Sequence, residues 1–324
     1  MFKLLKVLCA GLGFIAAGSA AWGQNFPSRP VQIIIPYPPG GSTDGMVRAL
    51  ADRLSEQWGQ PVVVDHKGGA NETIGAAALA SARPDGHTLL VATDATTMHN
   101  ATLFKRLPYK TETAFAPITR IAIGRMALIV PANSNVKSLA DFISAAKSRP
   151  GMLNYGSASQ GGISHISMAW LAHRQGISMN HVPYRGAGPM IADVIGGTID
   201  GAITSIPAIV GPISSGQVRA IAMSGGERAA ALPDVPTFKE QGVEDPDAHY
   251  NLSLLAPANT PPQVADRIAR DVAQVIKSDA FKSRHLTPFA FDVIGDSPTE
   301  FAAYLAKERP LQAERVLRSG AVLD

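Results

Sequence analysis

Apolar residues along this chain alternate between two periods. Short runs rich in β-branched and small apolar residues occupy 31–37 (VQIIIPY), 61–66 (PVVVDH), 87–93 (HTLLVAT), 125–131 (RMALIVP), 153–158 (LNYGSA), 179–184 (MNHVPY), 200–205 (DGAITS), 218–224 (VRAIAMS) and 251–257 (NLSLLAP). Their length and composition predict strands. Between them the period changes to three to four residues, which predicts helices over 44–58, 73–82, 138–148, 163–174, 188–195, 263–278 and 298–318. Alternation of this kind predicts an α/β protein with mainly parallel sheets. Ligands in such sheets bind beyond the carboxyl ends of the strands, where this chain places its Gly, Ser, Thr and Asp.

The first of these ends is the most informative. The run Ile33–Ile35 ends at Pro36, the turn Pro38-Pro39-Gly40-Gly41 follows, and Ser42-Thr43-Asp44 leads into a helix. Met46, Val47, Leu50, Leu54 and Trp58 form its apolar face. Strand, glycine turn and helix N-terminus together make an anion site, because first-turn N–H groups lack intrahelical acceptors and glycine admits close approach. No catalytic side chain sits in the turn, so it is suited to hold an acid rather than transform one. The plainer reading is a tight turn with Asp44 as a cap.

Similar entries follow other strands: Lys67-Gly68-Gly69-Ala70-Asn71-Glu72 after the second, Asp94-Ala95-Thr96-Thr97 after the third, Ser159-Gln160-Gly161-Gly162-Ile163-Ser164-His165 after 153–158, and Arg185-Gly186-Ala187-Gly188-Pro189 after 179–184. Each is weak alone. Repeated after successive strands, they read as backbone donors around one cleft; chance recurrence in a glycine-rich chain is the competing reading.

Residues 1–23 have a basic start with Lys3 and Lys6, an apolar centre and small residues before a cut near Ala20 to Gly23. This is the pattern of a secretory signal peptide. Its apolar part is too short to span a membrane, which takes about 20 residues. The chain is therefore expected to be exported and soluble in the periplasm. Cys9 is the only cysteine and falls inside this leader, so the mature chain would have no disulfide and no thiolate site. Removing Lys3 and Lys6 leaves 27 basic against 26 acidic side chains. That balance gives no sign of a nucleic-acid partner. The remaining 300 or so residues exceed the usual span of one core, so two lobes are expected.

The motifs PYPPGGSTD, RPDGHTLLVAT, LPYK followed by FAPIT, LNYGSASQGGISH, HVPYRGAGPMIADVIGGTID and ALPDVPTFKEQGV stand in family order along the chain. From about Phe26 to the C-terminus it resembles the tripartite tricarboxylate transporter receptors, the Bug-type solute-binding proteins. The resemblance implies the two-lobed type II periplasmic-binding-protein fold with the ligand cleft between lobes. Residues 24–125 with 246–324 would form one lobe and 126–245 the other. It implies a small organic acid or amino-acid-like ligand, two membrane transporter subunits as partners, a monomer, and no cofactor or metal. Carried over by motif, Tyr37, Pro39, Gly40, Gly41, Ser42 and Asp44 would meet a ligand carboxylate. The facing lobe would supply Ser157, Ser159, Gly161, Gly162, Ser164 and Thr204, with His165 packed behind its turn.

Two departures from the family pattern bear on the ligand. Asn71 and Glu72 stand where a Gly-Gly pair is usual, and Asp94 follows Thr93 where a small Ser or Thr is usual. With these four residues at the ligand's far end, a second carboxylate would meet like charge. A monoacid bearing an ammonium, amide or hydroxyl would then be preferred over a di- or tricarboxylate. The opposing reading has both acids capping helices or facing solvent.

Enzymatic signatures are missing from the sequence. There is no G-x-S-x-G elbow for a hydrolase, no H-E-x-x-H, no Walker motif and no G-x-G-x-x-G. A periplasmic hydrolase is the remote alternative. The nearer alternative is a receptor that presents its closed form to a signalling partner instead of a transporter.

Overall fold

The computed structural model describes residues 26–324, so the expected leader, 1–23, lies outside the described residues. The strands are β1 (Val31–Ile35), β2 (Val62–His66), β3 (Thr88–Ala92), β4 (Phe115–Pro131), β5 (Asn154–Ser157), β6 (Asn180–Pro183), β7 (Gly201–Ser205), β8 (Val218–Met223), β9 (His249–Pro257) and β10 (Phe291–Val293). The helices are α1 (Ser42–Trp58), α2 (Thr73–Ala80), α3 (Asn100–Leu103), α4 (Leu139–Ser148), α5 (Ile163–Gln175), α6 (Ala187–Ile195), α7 (Ile206–Ser214), α8 (Pro262–Ile276), α9 (Asp279–Phe281) and α10 (Pro298–Ser319).

The strand order is β2-β1-β3-β9-β4-β7-β5-β6, with β8 and β10 also paired to β4. The flanking strands are parallel: β1 with β2 and β3, β5 with β6 and β7. The centre is antiparallel, since β4 pairs β7, β8, β9 and β10, and β3 pairs β9. The sheets are therefore mixed, not mainly parallel. The reason is β4, a 17-residue strand that runs from one sheet into the other. Its residues 115–125 pair with β9, and from Met126 onward it pairs with β7 and β8. Only 125–131 reads as a strand in the sequence, because Pro117, Arg120 and Gly124 interrupt the apolar pattern of the first half. Gly124 has a packing reason: a Cβ there would lie 2.2 Å from the Tyr250 ring.

Hydrophobic packing divides along the same line. One core joins Ile33, Leu50, Leu54, Leu89, Ile121, Leu252, Leu254 and Ile268. Two others join Leu128, Phe142, Met168, Ile203 and Phe238, and Ile129, Met190, Val194 and Ile206. Helix α1 shows how sequence produces such packing. Its predicted apolar positions Val47, Leu50 and Leu54 are fully buried, and Gly59 in the left-handed region (φ 63°) ends the helix. Each such side chain contributes about 1.5–3 kcal/mol on burial. A smaller cluster of Leu103, Ile166, Val316 and Ala321 joins α10 to α5, so the C-terminal helix touches elements of both sheets. The amphipathic pattern did not reveal α7, whose IPAIVGPIS segment carries two prolines.

Candidate functional site

The carboxyl ends of β1, β2 and β3 and those of β5, β6 and β7 converge on the point where β4 passes between sheets. Met126 pairs with Ser205 at the end of β7, and Gly124 pairs with Tyr250, next to Asn251, at the start of β9. Five helices begin at these ends, and none of α1, α2, α5, α6 and α7 has a side-chain cap. Elsewhere capping varies: α4 and α10 start with complete capping boxes at Ser138–Asp141 and Ser297–Glu300, while α8, entered through Pro261, has no side-chain cap. Helices α1 and α5 start alike, on glycine N-caps in nearly identical extended backbone (Gly41 φ −79°, ψ 169°; Gly162 φ −77°, ψ 167°). Among the described residues, first-turn N–H groups of Thr43 in α1 and of Ile163 and Ser164 in α5 have no acceptor and are left for something outside the helix, while His165 N–H turns back to Gly162 O (3.0 Å).

The turn before α1 is built for exposure from above and support from below. Pro38 to Gly41 are exposed. Gly40 has φ +97°, a region that suits glycine, while a Cβ on Gly41 would meet nothing within 4 Å. Gly41 and Thr43 N–H donate to no acceptor among the described residues. Asp44, expected at the ligand, is buried and holds the turn from within. Its carboxylate accepts Gly40 N–H (2.9 Å) and Arg48 Nε–H (2.9 Å) and lies 3.1 Å from His66 Nε2, whose Nδ1–H donates to Tyr37 O (2.8 Å). Burial alone would raise its pKa; the Gly40 bond, Arg48 and His66 outweigh it and hold the carboxyl below its ordinary value. Asp44 thus fixes the turn.

The turn before α5 is fixed by its own side chains. Ser157 Oγ–H donates to Ser159 O (2.9 Å) and accepts from His181 Nε2–H (2.6 Å). Ser164 Oγ accepts Ala158 N–H (3.1 Å), and His165 Nδ1 accepts Gly161 N–H (3.1 Å). The rings of His165 and His181 stack with centroids 3.6 Å apart. Ser157, Ser164 and His165 are buried and shape the loop, whereas Ser159 is exposed at its tip. Thr204 is buried at the end of β7, and its hydroxyl has no partner among the described residues. His181, within the HVPYRGAG motif, is a positioning residue that sequence reasoning passed over.

Burial, and secondarily His181, pushes the His165 pKa down to about 4. A depressed histidine contributes stability above its unfolded pKa, near 6.5, and loses it as pH falls toward 4. Protonation also removes the acceptor for Gly161 N–H. Between pH 6.5 and 4, His165→Gln is expected to lose less stability than the wild type in urea titrations; parallel profiles would contradict this.

The two acids of the opposite lobe do not lie as expected. Asp94 is buried and committed to the start of β9. Oδ2 accepts Asn251 N–H and Oδ1 accepts Asn251 Nδ2–H, both at 2.9 Å, and Asn251 also donates to Tyr304 OH (3.0 Å). Burial drives its carboxyl up to about 6, against the pull of the Asn251 bonds. It fixes β9 beside the crossover and neither caps a helix nor faces solvent. Glu72 is also buried, at 4% exposure. It stands at the N-cap of α2 without capping it. Its Oε1 accepts from the hydroxyls of Tyr37 and Thr93, and its Oε2 accepts Thr93 N–H (3.0 Å) and Thr96 Oγ–H (2.7 Å). Burial and then the charge of Glu72 hold the Tyr37 phenol well above its ordinary pKa, so it remains a donor. Asn71 forms a reciprocal pair with Asn100: Nδ2–H to Oδ1, and Asn100 Nδ2–H to Asn71 O, each 2.8 Å. Thr96 lies in the strand-end entry after the third strand, whereas Asn100 and Asn251 were missed by motif reading, since one sits in a four-residue helix and the other inside β9.

The arrangement can hold an acid but offers no nucleophile paired with a base. Ser157, the one serine among the described residues whose hydroxyl bonds a histidine, spends its proton on Ser159 O. Among the described residues no group of three His, Cys, Asp or Glu is placed to hold a metal, and no helix is long and apolar enough to cross a membrane.

Comparison with known proteins gives a consistent result. The sequence profile described as "Tripartite tricarboxylate transporter family receptor" matches residues 46–319. Protein BugT of Bordetella pertussis is 32% identical over 326 residues, covering 100% of this chain and 99% of that protein. Among solved structures, Rpa4515 of R. palustris with adipate superposes with a TM-score of 0.81 at 29% identity, covering 92% of this chain and 100% of that one. MatC from Rhodopseudomonas palustris with bound malate gives 0.77 at 27% identity, covering 90% and 100%.

Proposed function

The chain belongs to the tripartite tricarboxylate transporter receptor family, a family of solute-binding receptors rather than enzymes, and from that premise we propose that it captures a small carboxylate between its lobes and passes it to a membrane transporter. The carrying observation is the pair of uncapped, glycine-started helices α1 and α5 at opposing strand ends. Such N-termini attract anions through free N–H groups and the helix dipole. The solved relatives with adipate and malate support the ligand class.

We assign one lobe to residues 24–125 together with 246–324, and the other to 126–245. The separate cores support this division. The hinge would be β4 at Arg125–Met126 and the strand entering β9. Ligand carboxylate would bind the N–H groups of Gly41, Ser42 and Thr43, with Ser159, Gly162 and Thr204 closing from the other side. Asp44, Ser157 and Ser164 would act by holding these loops. Export to the periplasm follows from the leader pattern at 1–23.

A thermal-shift screen of small carboxylates, amino acids and amides tests this reading. A ligand at about 100 times its dissociation constant stabilises by about 2.7 kcal/mol. Stabilisation by carboxylates but not by their amides is expected; stabilisation by none of them would overturn it.

A further inference from the structure

Glu72 meets an unusual set of conditions. It is the last of three consecutive non-glycine residues with left-handed backbone: Ala70 (φ 46°), Asn71 (φ 50°) and Glu72 (φ 72°). That conformation costs side-chain-bearing residues free energy at each position. What it achieves is to turn the Glu72 carboxylate inward onto donors from three separate segments: the Tyr37 hydroxyl after β1, Thr93 N–H and hydroxyl after β3, and the Thr96 hydroxyl in the helical turn that follows. Each carboxylate oxygen receives two donors, which fills its acceptor capacity. Tyr37 and Thr93 are only partly buried and stand at the carboxyl ends of adjacent parallel strands. Tyr37 also adjoins the turn that leads to Gly41.

We propose that Glu72 is a tethered carboxylate that permanently fills a second acid-binding cradle of the cleft, restricting the receptor to ligands with a single carboxylate. The inference rests on the carboxylate-receptor reading above. The donors around Glu72 would suit a ligand's second carboxylate, but the chain's own side chain already occupies them. A diacid reaching past the α1 turn meets a filled donor set and a like charge. The Glu72 oxygens have no free acceptor site, so the far end of the ligand need not be a donor; it must only not be an anion. Asp94 takes no part, since both its oxygens are committed to Asn251.

The test is a titration calorimetry panel of matched acids: butanoate, 4-aminobutanoate and succinate; hexanoate, 6-aminohexanoate and adipate; benzoate and terephthalate. The wild type is expected to favour a monoacid over its matched diacid by at least tenfold in the series that binds. Glu72→Gly suits the left-handed backbone and empties the cradle; it is expected to gain at least tenfold in diacid affinity. A wild type that binds a diacid as tightly as the matched monoacid, with a ratio unmoved in Glu72→Gly, overturns the inference and leaves the receptor reading standing. A wild type that binds no member of the panel overturns both. Should Glu72→Gly fail to fold, the wild-type ratio decides alone.

Discussion

Replacing Gly41 by valine is expected to weaken carboxylate binding at least a hundredfold while leaving the protein folded. The fold is safe because Gly41 has extended backbone that valine adopts readily, and its Cβ would enter open space. The same open space is where the ligand carboxylate would meet the free N–H groups of Gly41 and Thr43. A branched side chain there excludes the ligand from its charge-assisted hydrogen bonds. Each of these is worth about 1.5–3 kcal/mol, so losing two exceeds the ~2.7 kcal/mol that a hundredfold represents. Calorimetric titration alongside circular dichroism and a thermal midpoint separates lost binding from lost fold. Wild-type affinity in a folded Gly41→Val protein would move the acid site elsewhere.

Asp94→Ala is expected to cost about 2–4 kcal/mol of stability near pH 5. The substitution strips the acceptor from two buried donors of Asn251 beside the crossover strand. The cost should shrink as pH rises, and the sign follows from the raised pKa. In the folded wild type Asp94 keeps its proton up to about pH 6. In the unfolded chain it loses the proton near 3.9. Between those values the folded state binds more protons, so the Asp94 contribution is present at low pH and lost as pH passes 6. Alanine carries no such linkage. Urea unfolding of both proteins at pH 4.5 and 7.5 should therefore show the larger gap at pH 4.5. A gap that widens toward pH 7.5 would refute this account of Asp94.

The two histidine and aspartate effects oppose one another in the same window. Loss of His165 stability on acidification runs against the gain from Asp94, so each slope is resolved only as a difference from its own variant.

How far the fold and site could be read from sequence depended on how local each signal is. Helix α1 was legible because its apolar face repeats over 17 residues and Gly59 marks its end. The glycine turns were legible because strand, glycine and helix start follow one another in the chain. The antiparallel centre was not, because β4 and β9 meet across more than a hundred residues and the first half of β4 lacks a clean period. The roles of Glu72 and Asp94 were also hidden. Sequence showed two acids at strand ends, but not that one turns inward onto Thr96 or that the other clasps Asn251, 157 positions away. The loop-shaping duties of Asp44, Ser157 and Ser164 were obscured similarly: their residue types suit a ligand contact, and only the geometry shows the backbone groups they hold.

The central claim is that the cleft recognises a carboxylate through backbone donors at the start of α1. It is tested most directly by titrating the wild-type protein with its best-stabilising acid from the thermal screen and with the primary amide of that acid. The amide keeps the size and shape but removes the negative charge. One-to-one binding of the acid, with the amide at least tenfold weaker, is the predicted result. Equal affinity for acid and amide would contradict the account.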